Sequence, residues 1–155
     1  MSDCPNLDDL TLKHLHDLEN VDAIQNCSQL THICLEDCEK LESIRVLQLL
    51  PKVYFLKLID LPSVGDFSVL PYCNQLCDLE LRQLPISIEN NLLRNCRYLE
   101  SITLVNCPRV TDLSAFERCS KLQSFVHGVD EFTYEQTRAL EKHIPGLKTD
   151  DYEEF

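Results

Sequence analysis

The chain has 155 residues, of which 44% are apolar, and a formal net charge of −12. That is enough for one domain with a sizeable core and too apolar for disorder as the default. The acid excess repels phosphate backbones, so direct nucleic-acid binding is not expected and basic partners are favoured. No apolar run approaches the ~18 residues of a membrane span. The opening MSDCPNLDDL has neither the basic region nor the apolar stretch of a secretory signal. The expected location is therefore cytoplasmic or nuclear, where an odd set of nine cysteines reads poorly as a disulfide framework.

From residue 4 onward one unit of 23 residues is written six times. It is plainest in residues 96–119, CRYLESITLVNCPRVTDLSAFERC. The opening column reads Cys4, Cys27, Leu50, Cys73, Cys96 and Cys119. Further columns begin at Leu7, Leu10, Leu12, Leu15, Leu18, Val21 and Ile24, and their exceptions are His127, Ser87 and Asn90. The step of two from Leu10 to Leu12 is strand periodicity, with both side chains on one side. The steps of three that follow suit a 3₁₀ or irregular return, where i and i+3 eclipse. One such unit cannot bury its own apolar edge, so stacked neighbours must share a core. In the fourth repeat Pro85, Ser87 and Asn90 replace apolar return residues while Ile86 and Ile88 lie beside them. A local displacement by one residue is expected there.

After Phe125 the pattern stops. Thr133 to Gln136 reads as a capping box opening a helix, with Ala139, Leu140, His143 and Ile144 on one face. Pro145-Gly146 ends it and Leu147 returns to the core. The expected organisation is six repeats over residues 1–127, a helical cap over 128–149 and a solvated acidic tail over 150–155. No comparable cap precedes the first repeat, so its apolar edge faces water unless something docks there. Self-association is one way to cover it.

The spacing L-x-x-L-x-L-x-x-C/L, seen from Leu30 to Cys38, Leu76 to Leu84 and Leu99 to Cys107, resembles the leucine-rich-repeat family. The resemblance covers residues 4–127. Asn106 to Asp112 is similar to the cysteine-containing repeats of F-box and some protozoan proteins. The run from Tyr134 through Ile144, Pro145, Leu147 and Lys148 to Asp150 is similar to the C-terminal cap of small acidic leucine-rich-repeat proteins. The resemblance implies an α/β solenoid with a parallel sheet on its concave face, a 3₁₀ or irregular convex face and a C-terminal helical cap. It also implies a non-catalytic scaffold.

Candidate chemistry is sparse. Five cysteines share the opening column, where Leu50 substitutes, so that position calls for a small apolar group rather than a thiolate. No Gly-rich phosphate loop, zinc-ligand spacing or nucleophile–histidine motif occurs. No catalytic residue, metal site or cofactor is assigned, and no enzyme is expected. His14, Asp37 and Asp60 align at the exits of adjacent strands, where a solvated edge is the simplest reading. The outward strand columns place Phe55 and Ile59 where polar residues are expected. With Tyr54, Lys57, Glu80, Arg82 and Val105 they make an apolar centre with charged neighbours, the composition of a protein interface. Phe55, Ile59 and Val105 are expected to supply buried area, and Lys57, Glu80 and Arg82 electrostatic choice. The expected function is protein–protein interaction through the concave sheet. The alternative is a scaffold subunit of a ribonucleoprotein or an axonemal or cytoskeletal assembly, in contact through the N-terminal edge.

Overall fold

The computed structural model describes residues 4–88 and 92–152. Asn90 and the tail residues Glu153, Glu154 and Phe155 lie outside the described residues. The apolar columns stack as their period requires. Seven strands form one parallel sheet in sequence order. They are β1 (Asp9–Lys13), β2 (His32–Glu36), β3 (Phe55–Ile59), β4 (Asp78–Arg82), β5 (Ser101–Val105), β6 (Ser124–His127) and β7 (Lys148–Asp151). From β1 to β6 the register pairs Asp9, His32, Phe55, Asp78, Ser101 and Ser124, each one repeat from the next. Any slip in register would push a leucine column to the solvent face, which is why the pairing is so regular.

The return paths carry 3₁₀ segments at Asp22–Ile24, Arg45–Leu49, Leu70–Tyr72 and Ser114–Arg118. Between sheet and return path runs one core of stacked apolar rungs, with Leu30, Ile33, Leu35, Leu56, Leu58, Leu79, Leu81, Ile102 and Leu104 fully buried. Each of β1 to β5 leaves the sheet through a residue with positive φ: His14, Asp37, Asp60, Gln83 and Asn106, at 48–55°. Asn, Asp and His tolerate that region better than β-branched residues, so this corner is polar for backbone reasons.

The fourth repeat departs from its neighbours. Ile86 and Ile88 are buried and Ser87 is exposed, so burial here alternates instead of stepping by three. Among the described residues this repeat has no 3₁₀ segment. Pro85 has no N–H to donate and is followed by two β-branched residues, which favours an extended path.

The cap helix α1 (Tyr134–His143) opens on Thr133. Thr133 Oγ1 accepts from the Gln136 N–H at 3.3 Å, and Gln136 Oε1 accepts from the Thr133 N–H at 2.9 Å. The buried face is Thr137, Leu140 and Ile144, at i, i+3 and i+7; Ala139 and His143, expected on it, are exposed. Thr137 tolerates burial because its hydroxyl donates to the Tyr134 carbonyl at 3.2 Å. The chain then returns as β7, parallel to β6. The boundary expected at residue 149 is therefore displaced: Asp150 and Asp151 are sheet residues with exposed side chains, their backbone paired along β6. His127 continues the leucine column as a buried residue, its Nδ1 3.0 Å from the Gly128 carbonyl and its ring among Phe125 and Phe132.

At the other end Leu7, Leu12 and Leu18 are only partly buried and Leu15 is 41% exposed, whereas Leu30, Leu35, Cys38 and Leu41 one repeat on are fully buried. Among the described residues no helix is long and apolar enough to cross a membrane.

Candidate functional site: the concave sheet face

Alternation along each strand sends one set of side chains into the core and the other onto the open sheet face. At the start of β2 and β3 that face carries an aromatic cluster. The His32 ring lies 4.6 Å from Tyr54, nearly edge-on at 69°, and 5.6 Å from Phe55. Thr31 Oγ1 donates to the Asp8 carbonyl at 3.0 Å, so its oxygen is left to accept from His32 Nδ1–H, also at 3.0 Å. His32 Nε2 lies 2.9 Å from the Tyr54 hydroxyl, within hydrogen-bond distance. This hydrogen-bond chain holds Tyr54, which stays 40% exposed.

Beside the cluster lies a charged ladder. Glu80 Oε2 is 3.2 Å from Lys57 Nζ, and Glu80 Oε1 is 3.1 Å from Arg82 Nε. The Arg82 Nε contact is ionic, because the nitrogen lies off the hydrogen-bond direction. A second pair, Lys13–Glu36 at 2.8 Å, flanks it across β1 and β2. Burial, and then the neighbouring Glu80 charge, raise the Asp78 carboxyl above its usual range.

Arg82 has a further partner that only the fold supplies. Tyr152 follows β7, and its hydroxyl accepts a hydrogen bond from Arg82 Nη1 across 70 residues of sequence. The Arg82 guanidinium carbon sits 5.1 Å from the Tyr152 ring centre, a cation–π geometry. Tyr152 thus lies against the concave face.

The structure brings Tyr54, Phe55, Lys57, Glu80 and Arg82 together on one surface. Ile59 and Val105 are corrected. They are 5% and 7% exposed and have little area left to give a partner. Arg82 lies between them in the sheet register, so its long stem and its tyrosine partner sit over that part of the face. Sequence reasoning missed His32 and Tyr152 as members of the site. A tyrosine in an acidic terminal run carries no signal of where its ring will pack. It also missed a groove of about 490 Å³ between the turn that follows β5 and the start of the cap, lined by Cys107, Pro108, Val110, Phe132 and Gln136.

Most of the thiols are buried away from this face. Seven of the nine free cysteines are buried. Burial pushes the Cys73 and Cys96 thiols up to about 12, and Cys107 and Cys119 up to about 11. Cys34, on the concave side, is also raised, chiefly by burial.

The pattern of a BspA type leucine rich repeat region matches residues 60–143, more than half of the chain, in six copies. The chain belongs to this leucine-rich-repeat family. Leucine-rich-repeat proteins are generally protein–protein interaction modules without enzymatic activity. Among solved structures, an internalin of Listeria monocytogenes superposes with a TM-score of 0.63 at 16% identity, covering 96% of this chain and 48% of its own. A leucine-rich-repeat protein of Leptospira interrogans gives 0.61 at 14% identity, covering 96% and 50%. The chain therefore spans about half the length of these two proteins, and at such identity the likeness is one of fold. No curated protein matches the sequence.

Proposed function

We propose that this leucine-rich-repeat chain binds another protein through its concave sheet, centred on Tyr54, Phe55, Lys57, Glu80 and Arg82, with Ile59 and Val105 as the floor beneath. The observation that carries the reading is the His32–Tyr54–Phe55 cluster, an exposed tyrosine already locked by a hydrogen bond. A locked aromatic side chain loses little rotamer freedom on binding, which removes one of the main costs of association. Aromatic and arginine side chains together are the usual anchors of an interface. The acidic surface favours a partner with basic groups, which would compete with Lys57 and Arg82 for the Glu80 carboxylate.

A second reading rests on the first repeat. Its partly buried Leu7, Leu12 and Leu18 and exposed Leu15 form an apolar edge beside β1, which pairs on one side only among the described residues. That edge suits a scaffold subunit docking into a larger assembly, or self-association. Affinity capture from cell extract with wild type, a Phe55→Asp, Arg82→Glu double variant and a Leu15→Asp variant separates the two. A partner lost with the double variant and kept by Leu15→Asp supports the concave face. The opposite pattern supports the edge, and a partner that survives both overturns both readings.

A further inference from the structure

The repeat provides its own controls at the corner where strands leave the sheet. The residue two beyond each positive-φ position reads His16, Glu39, Pro62, Pro85 and Pro108 through successive repeats. All of these but Pro85 take the second position of a β-turn, closed by Leu18 N–H to the Leu15 carbonyl (3.0 Å), Leu41 to Cys38 (3.1 Å), Val64 to Leu61 (3.2 Å) and Val110 to Cys107 (2.9 Å). Proline is favoured there because its ring presets φ. His16 and Glu39 have no such backbone reason. They depart from proline in two adjacent repeats, and their side chains converge.

We infer that His16, Asp37 and Glu39 bind one divalent transition-metal ion of the zinc class. His16 Nδ1 lies 3.7 Å from Asp37 Oδ1 and 3.7 Å from Glu39 Oε1, and all three ligand atoms lie within 4.8 Å of one another. A tetrahedral site with metal–ligand bonds of ~2.0–2.1 Å separates its ligands by about 3.3–3.4 Å, so small side-chain rotations close this one. The second oxygen of Asp37 is already occupied: His14 Nδ1 stands 2.7 Å from Asp37 Oδ2. That bond orients the carboxylate and leaves Oδ1 toward His16 and Glu39, as outer-shell partners do for metal ligands. Two carboxylates balance the ion's charge. The imidazole selects zinc, nickel, cobalt or copper over calcium and magnesium, which take all-oxygen sites. Three protein ligands leave a fourth position for water. Among the described residues this is the one group of three such side chains whose ligand atoms converge. His143–Glu117 and His127–Asp151 are single pairs at 3.9 and 3.5 Å.

The test titrates the full chain with Zn²⁺ alone by calorimetry and with Co²⁺ by absorption. The expected result is one ion per chain, with the visible bands of tetrahedral cobalt and no thiolate-to-cobalt charge transfer. His16→Ala and Glu39→Pro each weaken Zn²⁺ affinity by at least about tenfold, the loss seen even for outer-shell partners. Both variants keep the wild-type circular dichroism spectrum, since His16 and Glu39 are exposed and proline fits the turn. The inference is overturned by unchanged affinity in either variant, by a thiolate charge-transfer band, or by no saturable uptake at about 1 mM ion.

Discussion

Replacing Glu39 by proline should stabilise the protein, which is unusual for a substitution that removes an ion-pair partner. Glu39 is the second residue of the turn closed by Leu41 N–H on the Cys38 carbonyl at 3.1 Å. Pro62 and Pro108 hold the equivalent place in turns closed at 3.2 and 2.9 Å. The residue before a proline is pushed to extended backbone, and Leu61 and Cys107 already meet that demand in the sister repeats. The carbonyl of Glu39 accepts from Ser63 Oγ at 2.6 Å, a bond that proline retains. What is lost is the contact with His16 at 3.7 Å between side chains 65% and 54% exposed, which contributes little in water. What is gained is a narrower unfolded ensemble, about 0.4–1 kcal/mol for a compatible X→Pro change. At ~2–4 °C per kcal/mol for a domain of this size, the melting midpoint rises by about 1–4 °C. Calorimetric or circular-dichroism melts of matched samples with a chelator present measure it, and Glu39→Ala isolates the lost charge. A midpoint below that of Glu39→Ala would refute the equivalence of the turns and with it the reasoning.

Thiol accessibility and acid stability supply two more checks. In the native state a disulfide thiol reagent should label Cys4 and, more slowly, the half-buried Cys77, with the seven buried thiols reacting only after unfolding; a third fast thiol would contradict the burial of the cysteine column. Asp66 is held down at about 2, from an ordinary 3.8, by the Ser68 hydroxyl and backbone N–H and then by Arg45. A depressed carboxylate stabilises the fold above its unfolded value and ceases to do so as pH falls through the folded one. The urea midpoint of wild type should therefore exceed that of Asp66→Asn at neutral pH, and the gap should close between pH ~4 and ~2. A gap that stays constant across that range would show that the carboxylate contributes nothing.

The repeat columns made most of the architecture legible. Strand position, 3₁₀ returns, the capping box at Thr133 and the displaced fourth repeat all follow from where apolar residues recur and where proline interrupts them. Each is a local consequence of side-chain spacing, and each repeat constrains the next. The site was legible only as a face. Alternation placed Phe55, Lys57, Glu80 and Arg82 outward, but it treated Ile59 and Val105 as equally exposed. Outward position does not specify accessibility, which depends on how long the neighbouring side chains are and where they lie.

The sequence by itself determined the solenoid, because a strict period of 23 residues leaves one register in which every leucine column is buried. Tertiary structure alone decided that Asp150 and Asp151 join the sheet as β7, that Tyr152 comes to rest on Arg82, and that Thr31, His32 and Tyr54 form a hydrogen-bond chain. The β7 and Tyr152 contacts lie outside the 23-residue repeat, and the hydrogen-bond chain through Thr31, His32 and Tyr54 depends on side-chain directions that no column of the repeat records. They exist because the stacked sheet brings distant side chains within reach, and the energy of each depends on geometry that only the assembled fold provides.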